Sequence, residues 1–470
     1  MKPKIIFFEP GVKVTKHVPI GILVLAAFMR EKGYPVAVKE FSGKEIDEDE
    51  IREIISRENP KYVGIRVLTG PFIPRALKIS KIAKEMGKKV IWGGPHPTIL
   101  PEQTLENPLI DAIVIGEGEY ALLDLISYFE NKKIKPLGSG IKINGKAKIF
   151  PPQKKCVNLE TTPLPAWDLL ENINEHFPSK RGNPLKVMSS RGCPFKCGFC
   201  HNSNKNVINY LGKYRVISAK KVLDEYDLVQ SLIKNKITML DAGGDYHLIS
   251  KEYTKNWCET IKQREPHLKW STHARYSNID LEMVDMIAKA GCVDINLGVE
   301  SGSRRIQEFN QKVIDLKKAI PIARALRKNK IFLTNTYIFG HPTETLDELK
   351  QTIKYVRKLP GDLNLVQIYR PFPGTPYYEL CVKEGKVVPF KKLEDWSNFG
   401  LIIGDKNVSR IPTKKLFFYF YSVNLIEQLN EFKNRQVYYL RNGFYREFFD
   451  NFVRNRFVKK FKEVLESKGL

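Results

Sequence analysis

The stretch Cys193-Pro194-Phe195-Lys196-Cys197-Gly198-Phe199-Cys200 follows a mostly apolar segment, Leu185 to Met188, that reads as a strand. Three thiolates on one short loop can hold three irons of a cubane 4Fe-4S cluster. With no fourth cysteine nearby, one iron stays open to a small molecule. Two alternatives compete. A structural zinc ion wants four donors, usually in paired Cys-x-x-Cys units, and His201 offers itself as the fourth. A disulfide is the other. The spacing, three residues and then two, favours the cluster.

Downstream of the cysteines, strand-like segments recur at Ile237 to Asp241, Trp270 to Ala274, Val293 to Val299, Phe332 to Phe339 and Leu363 to Tyr369. Helical stretches such as Ala219 to Ile233, Leu281 to Ala290 and Leu346 to Lys358 separate them. Together with Lys186 to Ser190 they make a six-unit βα series, a partial barrel whose active face lies at the carboxyl ends of its strands. Upstream, residues 1 to about 135 also alternate. Ile5 to Phe8, Val36 to Val38, Tyr62 to Val67, Lys89 to Trp92 and Ala112 to Ile115 read as short buried strands between helices. Such alternation calls for a parallel sheet covered on both faces, here five-stranded.

The expected architecture is therefore α/β. A doubly wound, Rossmann-like sheet covers 1–135, a proline-bearing linker 136–183, a partial (β/α)6 barrel of TIM type 184–385, and a mainly helical segment 386–470. In doubly wound sheets ligands bind beyond the carboxyl ends of the strands. The loops there read Thr69-Gly70-Pro71, Gly93-Gly94-Pro95-His96-Pro97-Thr98 and Gly116-Glu117-Gly118-Glu119. Their glycines allow tight turns and close approach to a flat ligand. None forms Gly-x-Gly-x-x-Gly or a Walker loop, which argues against a dinucleotide or a nucleoside triphosphate.

Bulk composition narrows the class further. Hydrophobic residues at 42% and 28 prolines spread along the chain describe a globular protein. The apolar run Ile20 to Met29 is too short to span a bilayer and reads as a buried helix, so no transmembrane segment is expected. Seven cysteines, three clustered and four scattered (Cys156, Cys258, Cys292, Cys381), make no disulfide framework, so the expected compartment is reducing and cytoplasmic. The scattered four read as buried small hydrophobes. Lysine plus arginine total 77 against 52 acidic residues, a net charge of +25 that attracts anions. Residues 411–470 carry fifteen Phe and Tyr, with Phe444, Phe448 and Phe452 at helical spacing and basic residues between them. Stacking on nucleic acid and contact with an anionic membrane are alternatives, but the four-residue repeat argues for an apolar stripe packed on the barrel. Nucleic acid is thus disfavoured as a partner, and peripheral membrane contact stays open.

The cysteine spacing resembles the signature of the radical S-adenosylmethionine (SAM) superfamily. With the glycine loops ahead of it, about the first 385 residues resemble the cobalamin-binding class of that superfamily. The resemblance implies a 4Fe-4S cluster on Cys193, Cys197 and Cys200, whose open iron is chelated by the methionyl end of SAM. It implies Phe199 beside the adenine and Gly243-Gly244-Asp245 receiving the methionyl ammonium, with Asp where Glu is commoner. Arg275 is placed to fork onto the SAM carboxylate, the alternative being a surface salt bridge. Glu300 or Ser301 is placed to reach the ribose or the carboxylate.

Cobalamin would lie against Leu68, Thr69, Gly93, Gly94, His96, Gly116, Glu117 and Gly118. His96 is a candidate lower ligand of cobalt, but its flanking prolines suggest an extended turn, so the expected lower face lies near Leu68 and Thr69 without a strong protein ligand. The pattern Asp-x-His-x-x-Gly is missing from this domain, and the near copy at Asp245-Tyr246-His247 reads as coincidence. The implied chemistry is methylation of an unactivated carbon through a 5'-deoxyadenosyl radical and methylcobalamin. Cyclisation, oxidation or ring rearrangement by the same parts is the alternative. The implied partners are an external electron donor of flavodoxin or ferredoxin type and, as substrate, an anionic small molecule or a protein side chain. A basic nucleic-acid-binding protein with a structural metal is the reading from another class.

Overall fold

The computed structural model describes residues 4–12, 17–177, 184–399 and 407–441. Near the amino terminus, β1 (Ile5–Glu9), β2 (Val36–Glu40), β3 (Tyr62–Arg66), β4 (Lys89–Gly93) and β5 (Ala112–Val114) form a parallel array in the order β2-β1-β3-β4-β5. Every residue of β1 and β5 is buried. Such uninterrupted burial is what helices on both faces impose, and Ile20–Glu31, Glu48–Glu58, Phe72–Glu85 and Gly118–Phe129 are among those that flank the array. The Ile20–Glu31 helix buries seven of its apolar residues. The strand order reverses between β1 and β3, which makes their carboxyl ends the switch point of the sheet.

The expected linker does more than connect. Its β6 (Ser139–Ile143) and β7 (Lys146–Ile149) extend the sheet antiparallel from β5, giving seven strands in place of five. A short ladder of β9 (Ser190–Arg191) with β10 (Arg215–Val216) follows the first barrel strand, β8 (Pro184–Met188). The barrel continues through β11 (Met239–Gly243), β12 (Lys269–Arg275), β13 (Cys292–Glu300), β14 (Phe332–Phe339) and β15 (Leu363–Ile368). These strands lie parallel in the sequential order β8-β11-β12-β13-β14-β15, the topology of a partial barrel. Leu240, Trp270, Ile295 and Leu333 are buried on one face. Alternate positions on the other face form polar rows, such as Lys186, Asp241, Ser271 and Asp294 in register.

The chain folds as two compact units that interleave in sequence. One comprises 1–176, 191–217 and 370–405, and the other 177–190, 218–369 and 406–470. The cysteine loop is thus counted with the first sheet. The helix Thr413–Arg441 packs on β15 through buried Leu416, Phe420, Val423 and Glu427, while Phe444, Phe448 and Phe452 lie outside the described residues.

Candidate active site

The cysteine loop is held by its own turns and by a second loop. Cys200 donates its N–H to the Cys197 carbonyl at 2.9 Å, and Ser203 returns two hydrogen bonds to the Cys200 carbonyl. Asn204 then caps the helix Lys205–Leu211 with its side-chain oxygen and donates its amide to the Pro373 carbonyl at 2.9 Å. Gly374, at φ +69°, lies so close that a Cβ there would stand 2.1 Å from the Asn204 amide. Likewise, a Cβ at Gly198 would meet the Tyr377 ring at 2.5 Å, and Tyr377 donates its N–H to the Gly198 carbonyl. The Pro371 to Pro376 stretch beyond the sixth barrel strand therefore braces the cysteines. Phe199 is half-buried.

The seven cysteines, all among the described residues, form no disulfide, and Cys156 is exposed where burial was expected, while Cys258, Cys292 and Cys381 are buried. Among the described residues no three His, Cys, Asp or Glu side chains gather where a single ion could bind. Three thiols on one loop are the donors that three corners of a cubane take, so the donor set fits a 4Fe-4S cluster.

On the barrel, Gly243 ends β11 and accepts the Ser189 N–H at 2.8 Å. Gly244 takes φ +133°, and a Cβ there would fall 2.5 Å from the Ser190 hydroxyl, which in turn accepts the Tyr246 N–H. Only glycine fits that approach. Asp245 follows, half-buried. His247 is fully buried, bonded to Thr272 and ringed by Tyr253, Trp257 and Trp270, so it is a core residue.

Arg275 ends β12, buried, with a guanidinium hydrogen bond to the Gln311 carbonyl at 3.4 Å. Its burial does not match the surface position of the alternative reading. Glu300 ends β13 in the left-handed region at φ +67°, an unusual place for a non-glycine residue. Its carboxylate takes a 2.6 Å hydrogen bond from Lys312, and both are buried. The pair stands over Gly298, where a Cβ would lie 2.2 Å from the ammonium and 2.4 Å from the carboxylate. Ser301 is turned inward instead. Its hydroxyl pairs with that of Thr352 and accepts the Ser303 N–H. Lys312 was not legible in the sequence because a turn at Gln311, φ +52°, brings it back beneath Glu300.

At the first sheet, the switch point carries charge that no motif signalled. Buried Glu9, at the end of β1, accepts from Arg66 of β3 at 3.0 Å and faces His17 at 3.3 Å. Thr69 pairs with His96 at 3.0 Å. His96 is fully buried within the short helix Pro95–Ile99, not in an extended turn, since proline is favoured at the first helical position. Burial pushes its imidazole down to about 3, so it is neutral, and its Nε2 has no hydrogen-bond partner among the described residues. Half-buried Leu68 precedes Thr69, and Gly93 ends β4. Gly94, at φ +97°, lies against Val67. Glycine-lined strand ends and a neutral buried imidazole fit a flat corrinoid.

Gly116 to Gly118 are engaged by protein. A Cβ at Gly116 would stand 2.4 Å from the Tyr210 carbonyl oxygen, one at Gly118 would touch Leu25, and Glu117 pairs with Arg191 and Arg215.

Comparison with known proteins gives these features a common frame. The B12 binding domain matches residues 12–126, and the Radical SAM superfamily matches residues 187–356. An uncharacterized methyltransferase, PH0819, of Pyrococcus horikoshii is 31% identical over 370 residues, covering 77% of this chain and 78% of that protein. The chain belongs to the cobalamin-binding radical SAM family. Within this family it is also 25% identical to the anaerobic magnesium-protoporphyrin IX monomethyl ester cyclase of Rubrivivax gelatinosus, over 92% of this chain and 80% of the other. The fold matches the radical SAM methyltransferase TsrM from Kitasatospora setae, solved with cobalamin and a [4Fe-4S] cluster, with a TM-score of 0.70 and 18% identity. That match covers 83% of this chain and 80% of TsrM.

As a family member, the chain is a radical SAM enzyme with methyltransferase relatives, and it uses a 4Fe-4S cluster, SAM and cobalamin. Members of this superfamily need an electron donor and a substrate. Among the described residues no helix is long and apolar enough to cross a membrane.

Proposed function

We propose that the chain transfers a methyl group to an unactivated carbon of an anionic organic substrate, with Cys193, Cys197 and Cys200 as the cluster ligands. The observation that carries this reading is the cysteine loop itself, three thiols on a turn braced by the Asn204 to Pro373 hydrogen bond. When bound, the cluster supplies the electron that cleaves SAM and the corrinoid carries the methyl group.

The chain's own residues then hold and orient SAM. The backbone at Gly243 and Gly244, with Asp245, receives the ammonium, Phe199 covers the adenine, and Arg275 holds the carboxylate as a fixed fork. Ser301 is engaged by Thr352 through its one oxygen, and Glu300, which gives only Oε1 to Lys312, is the ribose contact. Leu68, Thr69, Gly93, Gly94 and His96 lie beside the corrinoid. Arg275 and Glu300 are both buried, so little water competes for the groups of SAM they would hold. The net charge of +25 favours an anionic substrate and an acidic electron donor of flavodoxin or ferredoxin type, and a chain without disulfides suits the reducing cytoplasm.

Reconstitution with iron, sulfide and cobalamin, followed by mass spectrometry, tests the reaction. Methyl transfer yields both 5'-deoxyadenosine and S-adenosylhomocysteine. Deoxyadenosine without S-adenosylhomocysteine would reject methylation and favour ring formation, the reading supported by the cyclase relative.

A further inference from the structure

We propose that Glu117 is a positioning residue of the iron-sulfur cluster, tying together through Arg191 and Arg215 the segments that precede and follow the cysteine loop and its helix; this rests on the reading that Cys193, Cys197 and Cys200 hold the cluster. Its place at the end of β5 marks Glu117 as a corrinoid contact, yet both of its oxygens are already in use. Oε1 accepts from Arg191 at 3.1 Å and Arg215 at 2.8 Å, while Oε2 accepts from Arg215 at 3.0 Å and from the Val157 N–H at 3.1 Å. The Arg215 contact is therefore a two-pronged fork, the geometry that best fixes direction.

Arg191 lies just ahead of Cys193, and its second nitrogen reaches Glu119 at 2.6 Å. Arg215 closes the far side, donating also to the carbonyls of Val157, Leu211 and Lys213. Side-chain exposures of 12% for Arg191, 8% for Glu117 and 3% for Glu119 remove these charges from water. A buried network of this kind adds little net stability, because desolvation offsets attraction, but losing one member leaves the others uncompensated. Its effect is to dictate one course for the loop. Glycines permit the approach. Gly116 lets the Tyr210 backbone come within the space of a Cβ, and Gly192, at φ +76°, turns the chain against Tyr214. Two arginines and two carboxylates balance, so the cluster of charges is a clasp and not an anion site.

Groups that orient metal ligands without touching the metal commonly change metal affinity by about 10- to 100-fold. The test uses the full chain reconstituted with iron, sulfide and cobalamin, in the forms E117Q, R215K and E117Q/R215K. Iron release to a chelator, the cluster midpoint potential, cobalamin retention and the unfolding temperature of the apoprotein are measured. We expect E117Q to release iron about tenfold faster or more, with a shifted potential, unchanged cobalamin retention and an unfolding temperature lowered because two buried arginines lose a partner. R215K, which keeps the charge but cannot fork, should move the same way by less. The double variant should lose less than the sum of the two single effects, because both break the same fork. Should E117Q fail to fold, R215K decides. Loss of cobalamin with unaltered iron release would overturn the proposal, as would additive effects of the two substitutions. Failure of the unsubstituted chain to assemble any cluster would instead sink the ligand assignment itself.

Discussion

Glu344 holds a carboxyl group fully out of water at the end of β14, accepting the N–H groups of Gly340 and His341. Burial pushes it up from 4.5 to about 8, with Glu348 adding to the rise and Arg305 opposing it. The folded protein therefore keeps this proton where the unfolded chain has released it. Its contribution is neutral below about pH 4.5, and stability falls as pH rises from there to about 8. E344Q should flatten that decline in urea unfolding at pH 5 and pH 8, and an unchanged slope would place the titration elsewhere. Lys312 invites a second substitution. K312M leaves the Glu300 carboxylate buried and unpaired, and should weaken SAM binding about tenfold or more in equilibrium dialysis, with K312R recovering part of the loss. Unchanged affinity would remove both residues from the SAM site. That Arg275 and Glu300 end strands could be read from the sequence, because each closes a recognisable apolar segment. Lys312 and Arg66 could not, because their partners come from separate elements.

The helix Thr413–Arg441 is fastened to the barrel by more than its apolar stripe. Buried Glu427 accepts both the backbone and the side-chain N–H of Asn364 on β15, and Arg435 reaches Asp294 on β13 at 3.2 Å. E427A strips Asn364 of its acceptor and should cost about 1–3 kcal/mol in chemical unfolding. A loss below a few tenths would mean that water replaces the carboxylate. The βα units were legible because strands and helices carry different apolar periods. The hairpin of β6 and β7 was not. Ile141-Lys142-Ile143 and Lys146-Ala147-Lys148-Ile149 do alternate about Asn144-Gly145, a hairpin pattern, but the prolines that follow, Pro151 and Pro152, made the stretch read as a linker.

The +25 charge acts at the scale of the whole chain. Stopped-flow reduction of the cluster by an acidic flavodoxin should slow several-fold between about 0.05 M and 0.5 M salt, since screening shortens the reach of surface charge. A salt-independent rate would show that the donor docks through apolar contact. By itself, the sequence determined the two α/β layers, their order and the three-cysteine loop, because hydrophobic period and covalent spacing are local properties. Only the tertiary structure decided what Glu117 touches. Its arginine partner at 215 is 98 residues away, and nothing in the local pattern around either residue encodes which distant charge will meet it once water is excluded.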